Sequence, residues 1–142
     1  MDKQVEIRGE LGGRVLLTVR GYERQSAQSA DDANWLQCSA KVEVGRFHGE
    51  VDAAFTTHDF SRFSTEIGGV LSGSATTAVF RTIEEMLTVS IEVGRTGSAS
   101  VSGELRELDG GVSLSFKFES DLSFLQPVRV QLVEIVRTFP SR

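Results

Sequence analysis

The sequence of 142 residues predicts an α+β fold, with about eight mostly antiparallel strands in a curled meander sheet and two helices on its apolar face. Two observations carry this. Apolar and polar residues alternate with period two in eight separate segments, and twice the pattern gives way to apolar spacings of three and four that suit a helix. The order that results, four strands and a helix followed by four strands and a helix, suggests a (ββββα)2 duplication inside a single domain spanning residues 1–142. A closed barrel is the alternative arrangement of the same strands.

Val5 and Ile7 mark the first strand, and Gly12-Gly13 a turn. Val15, Leu17 and Val19 mark the second strand, with Leu16 and Tyr22 on its opposite face. In the third, Leu36, Cys38, Ala40, Val42 and Val44 share one phase, while Gln37, Ser39, Lys41 and Glu43 take the other, as in a sheet with one face in water. Gly45-Arg46 then turns the chain into a hairpin partner carrying Phe47, Val51, Ala53 and Phe55. Phe60, Phe63, Ile67, Val70 and Leu71 fall on one helical stripe. Thr57 is its expected N-cap, Asp59 suits the positive end of the helix dipole, and Gly73 stops it, with an earlier end near Ile67 as the competing reading. Gly68-Gly69 weakens the helix by about 1 kcal/mol per glycine relative to alanine, which predicts close approach of its backbone to the sheet.

Strands resume with residues 75–82, then Leu87 to Val93, then Ala99, Val101 and Leu105, then Val112, Leu114, Phe116 and Phe118, separated by turns at Gly94, Gly97 and Asp109-Gly110-Gly111. The closing stripe, from Leu122 through Leu125, Val128, Leu132, Ile135 and Val136 to Phe139, predicts the second helix. Ser123 and Gln126 are spaced as a capping box, Pro127 fits the first turn, and Pro140 ends the helix. The offset that aligns Asp59 with Asp121 also aligns Phe63 with Leu125, which supports the duplication.

A formal net charge of −5, spread along the chain, favours solubility and a basic partner over nucleic acid. Cys38, the single cysteine, sits on an apolar strand phase, so a buried, inert thiol in a reducing compartment is expected. The first residues lack the apolar run of a signal peptide, and no stretch reaches the ~20 apolar residues of a membrane span. A cytoplasmic protein is expected.

Chemistry needs convergent groups, and the sequence offers few. His48 and His58 lack partners at metal-ligand spacing, no nucleophile signature such as G-x-S-x-G occurs, and Gly9, Gly12 and Gly13 do not form a phosphate-binding fingerprint, so neither catalysis nor a cofactor is expected. Ser98, Ser100 and Ser102 fall on the polar phase of a strand. Residues 26–34 form the longest polar connection, the kind of loop that carries binding groups. There Asp31 and Asp32 could face a basic partner, Asn34 tolerates unusual backbone angles, and Trp35 offers an amphipathic anchor. Glu43, Glu50, Asp52 and Glu92 lie on polar strand phases and would make an acidic patch if neighbouring strands align them. The expected partner-binding set is therefore Asp31, Asp32, Asn34, Trp35, Glu43, Glu50 and Asp52, with solvated turn and sheet surface as the plain alternative for each.

The run Asp32-Ala33-Asn34-Trp35-Leu36, with the late run Asp121-Leu122-Ser123-Phe124-Leu125, resembles the WapI-type bacterial immunity family, whose members share a D-x-N-W-L segment before a strand and a D-x-x-[YF]-L segment opening the last helix. The resemblance covers nearly the whole chain and maps the motifs onto Asp32, Asn34, Trp35, Leu36, Asp121 and Leu125. It implies a cytosolic protein that binds and blocks a polymorphic toxin without chemistry of its own. Two other readings stay open on residues alone: a small-molecule or enzymatic site on the concave side of the sheet, and an oligomerisation module using open sheet edges.

Overall fold

The computed structural model describes residues 2–24 and 33–142. Its strands are Lys3–Arg8 (β1), Arg14–Tyr22 (β2), Trp35–Val44 (β3) and Phe47–Thr56 (β4), followed by the helix Thr57–Ser72 (α1). Thr77–Arg81 (β5), Leu87–Val93 (β6), Ser98–Arg106 (β7) and Ser113–Asp121 (β8) follow, then a 3-10 turn at Leu122–Phe124 and the helix Leu125–Thr138 (α2). Every strand pairing is antiparallel, and the meander is broken at α1 into two four-stranded sheets, β1-β2-β3-β4 and β5-β6-β7-β8. No barrel closes.

Alternation decides which faces meet. Val5, Ile7, Val15, Leu17, Leu36, Ala40 and Phe55 from the first sheet and Phe80, Val89, Ile91 and Val101 from the second are buried in one core with the apolar stripes of both helices. Phe80 sits at its centre, with ring centroids 5.2 Å from Phe55, 5.6 Å from Phe60 and 5.4 Å from Phe63. The side chains of the helices thus fill the space that the concave-side pocket would need. At the junction of the sheets, Glu10 N–H donates to Glu119 O at 3.0 Å and Ser120 Oγ donates to Arg8 O at 2.6 Å. Gly13 admits the Phe118 ring there, since a Cβ on it would lie 2.5 Å from that ring.

Local signals needed three corrections. The N-cap of α1 is Thr56, one residue earlier than expected, because its hydroxyl and Asp59 close a reciprocal capping box: Asp59 N–H donates to Thr56 Oγ1 at 3.1 Å, and Thr56 N–H to Asp59 Oδ2 at 2.8 Å. The helix then runs to Gly73, whose φ of 85° is the left-handed cap, so it does not end at Ile67. Gly68 makes room for the second helix, not the sheet, since a Cβ would come within 2.3 Å of the Arg129 guanidinium. At the other helix, Asp121 caps the 3-10 turn by accepting Ser123 N–H at 2.9 Å, and no Ser123–Gln126 box forms.

The two halves repeat the ββββα order, but their helices correspond at a longer offset than the one that pairs Asp59 with Asp121. Buried Phe60, Phe63, Ile67 and Val70 of α1 match buried Leu125, Val128, Leu132 and Ile135 of α2, all at one constant step. The same step takes the cap residue Thr56 to the cap residue Asp121.

Candidate surface for a partner

The outer face of the first sheet collects most of the charged residues singled out by pattern. Register places Glu43 opposite both Arg14 and His48, Lys41 opposite Glu50, and Ser39 opposite Asp52. A zigzag of ion pairs crosses the strands: Glu6 to Arg14 at 2.9 Å, Arg14 to Glu43 at 3.2 Å, and Glu43 to Lys41 at 2.9 Å. Hydrogen bonds from Lys41 and Arg14 lower the Glu43 pKa from its ordinary value, and those that Arg14 donates to Glu43 and Glu6 raise its own.

Glu43 is therefore neutralised inside the face. Glu50 and Asp52 lie on its rim, on the edge strand β4, and the Asp52 side chain is 95% exposed with Arg20 4.0 Å away. Glu92 does not join them, because β6 belongs to the second sheet. What alternation suggested as an acidic patch is a balanced ladder with an acidic rim. The outer face of the second sheet carries Ser98, Ser100 and Ser102, with Ser102 paired to Ser90 and Lys117.

Asp31 and Asp32 lie outside the described residues. Asn34 and Trp35 open β3, half-buried: the Asn34 backbone carbonyl accepts Thr57 N–H at 3.1 Å, and that of Trp35 accepts Glu23 N–H at 2.8 Å. The Asn34 side-chain oxygen accepts Arg142 N–H at 2.8 Å. Sequence reasoning missed Arg142. Its guanidinium lies 3.8 Å from the centre of the Tyr22 ring and donates to the carbonyls of Arg24, at 2.6 Å, and Ala33, at 2.9 Å, while Tyr22 Oη donates to Pro140 O at 2.5 Å. These contacts tie the C-terminal residues to the end of β2 and the start of β3, where no periodicity reaches.

A groove of about 720 Å³ is lined by Arg20 of β2, Gln37 and Cys38 of β3 and Asp52, Ala53 and Ala54 of β4, together with Glu84, Met86 and Leu108. An apolar notch of about 310 Å³ lies between Val42, Val44 and Phe47 of the first sheet and Leu114 and Phe116 of the second. Cys38 is buried, and desolvation pushes its thiol pKa up to about 12. His48 and His58 are exposed, and among the described residues no group of three or more His, Cys, Asp or Glu side chains could hold a metal ion.

The family model for immunity protein WapI-like proteins matches residues 6–140, from β1 through the end of α2. The chain belongs to the WapI-like immunity protein family. The match takes in both motif segments, at residues 32–36 and 121–125, and in this family member Leu36 and Leu125 are core residues while Asp121 is a cap. No curated protein matches the chain significantly. A solved structure titled as trypanosoma bruciei MRP1/MRP2 is similar in shape, with a TM-score of 0.49 and 13% identity over 97% of this chain and 83% of that one. Among the described residues of the WapI-like chain, no helix is long and apolar enough to cross a membrane.

Proposed function

We propose that this protein is a cytosolic immunity protein that binds a polymorphic toxin and blocks it by occlusion, with no catalysis of its own. Family membership over residues 6–140 carries this reading. The surface is consistent with it: a toxin with a basic face would meet Glu50 and Asp52 on the rim, Glu43 within the charged ladder, and Asn34 and Trp35 at the start of β3. Asp31 and Asp32, which precede them in the sequence, belong to the same proposed set. Charge of this kind speeds encounter and selects the partner more than it sets affinity.

The test is co-expression of this chain with whatever toxin-like domain a neighbouring gene encodes, read by cell survival and by co-purification. Survival that depends on this chain, together with a stable complex of the two purified proteins, is the expected result. Death regardless of its presence, with no complex formed, would overturn the reading.

A further inference from the structure

Among the described residues the two sheets have four edges, and three of them form hydrogen bonds with distant parts of the fold. On β1, Glu6 N–H donates to Gln131 of α2 at 2.8 Å. On β5, Val79 N–H donates to Glu66 of α1 at 3.0 Å, and Arg62 bonds the Arg81 carbonyl. On β8, Glu119 O accepts the N–H of Glu10. Such guarding is what keeps a sheet from recruiting further strands.

β4 differs. In an antiparallel ladder, hydrogen-bonded pairs alternate with non-bonded ones. The bond from Thr57 N–H to Asn34 O fixes the phase, so odd-numbered β4 residues bond to β3 and His48, Glu50, Asp52, Ala54 and Thr56 direct their backbone groups outward. Thr56 N–H is taken by Asp59. Among the described residues, the backbone groups of the other four make no hydrogen bond along that edge. The groove described above takes in Asp52, Ala53 and Ala54 at one end of this stretch.

We propose that the outer edge of β4, from His48 to Ala54, is a strand-addition site that takes an extended segment of a partner protein bearing lysine or arginine at alternate positions. Main-chain bonds to the open edge would give affinity, and side-chain pairing would give selectivity. Charge disfavours the simplest rival occupant, a second copy of the chain. Antiparallel pairing of two β4 edges about their centre sets Glu50 opposite Asp52, and like charges directly opposed in a ladder are destabilising. Basic side chains at those positions convert the same contacts to attraction. Where the partner is the toxin, the proposal rests on the immunity reading; the edge itself is tested without one.

The probe is a backbone-cyclised β-hairpin peptide whose exposed strand alternates lysine with threonine, compared with the same hairpin carrying glutamate for lysine. The lysine hairpin should bind about tenfold tighter or more, and hydrogen exchange at the amides of His48, Glu50, Asp52 and Ala54 should slow on binding. Asp52→Pro removes an outward N–H without removing a ladder bond, so it should weaken binding about tenfold while the circular dichroism spectrum is kept. Ser115→Pro, at an outward position of β8, should leave binding unchanged. If Asp52→Pro fails to fold, the double variant Glu50→Lys with Asp52→Lys should reverse the preference between the two hairpins. Equal or absent binding of both hairpins, protection on β8 in place of β4, or a dimer joined through β4 would overturn the proposal. A toxin that binds while the β4 amides exchange freely would overturn edge docking and leave the immunity reading standing; hairpin binding with no toxin complex would do the reverse.

Discussion

Glu66 of α1 accepts the outward-facing N–H of Val79 on β5 at 3.0 Å, so a helix side chain completes the hydrogen bonding of a sheet edge. Its counterpart at the same step along the chain is Gln131 of α2, which does the same for Glu6 of β1. The pairing is crossed. Each helix follows one sheet in the chain and guards the edge strand that begins the other.

Glu66→Ala leaves the half-buried Val79 N–H without its acceptor and opens the β5 edge. The expected loss is about 1–3 kcal/mol, the range for an unsatisfied or newly hydrated donor. Glu66→Gln keeps an acceptor oxygen in place and should recover most of the loss. Urea denaturation of the three proteins checks the order, and equal midpoints for Ala and wild type would show that the clamp carries no stability.

The strands were legible because period two is a strong and local signal, and every buried position predicted on β1, β2 and β3 except half-buried Val44 faces the core. The duplication was legible in element order but not in spacing. Matching Asp59 to Asp121 by residue type set the offset too short, because Asp59 is the third helical residue of a capping box and Asp121 is itself a cap, so the two acids do different work at different places. The division into two sheets, the crossed edge clamps and the Arg142 contacts all depend on which distant elements meet, and alternation carries no such information. The acidic rim was half legible for the same reason: the phase of Glu50 and Asp52 could be read, while the neutralisation of Glu43 by Arg14 and Lys41 needed the register.

Gly103 tests how closely β7 packs with its neighbours. A Cβ there would lie 1.9 Å from the Thr88 carbonyl oxygen and 2.8 Å from the Phe116 ring. The first of these is backbone of the adjacent strand and cannot swing aside, so Gly103→Ala should push β6 from β7 or turn the peptide. A loss of about 3 kcal/mol or more is expected, at the upper end of overpacking in a dense core. Chemical denaturation measures it; a change below about 1 kcal/mol would mean that this part of the second sheet can spread.

Asp121 links the second helix to pH. Its carboxylate accepts the Ser123 backbone N–H, and that bond, followed by one from the Ser123 side chain, lowers its pKa from the ordinary aspartate value against a smaller opposing effect of desolvation. Because the folded value is the lower one, the contribution to stability is fully present above the unfolded pKa, and it is lost as pH falls through the folded value. The affected window lies below about pH 4. Asp121→Asn keeps an oxygen that can accept from Ser123 but has nothing to titrate, so the variant should lose stability less steeply than wild type across that window. Carboxyl carbon NMR titration reads the lowered pKa directly, and acid denaturation of the two proteins reads its consequence. Parallel acid transitions for the two, with an ordinary titration midpoint at Asp121, would mean that the 3-10 turn starts without help from the charge.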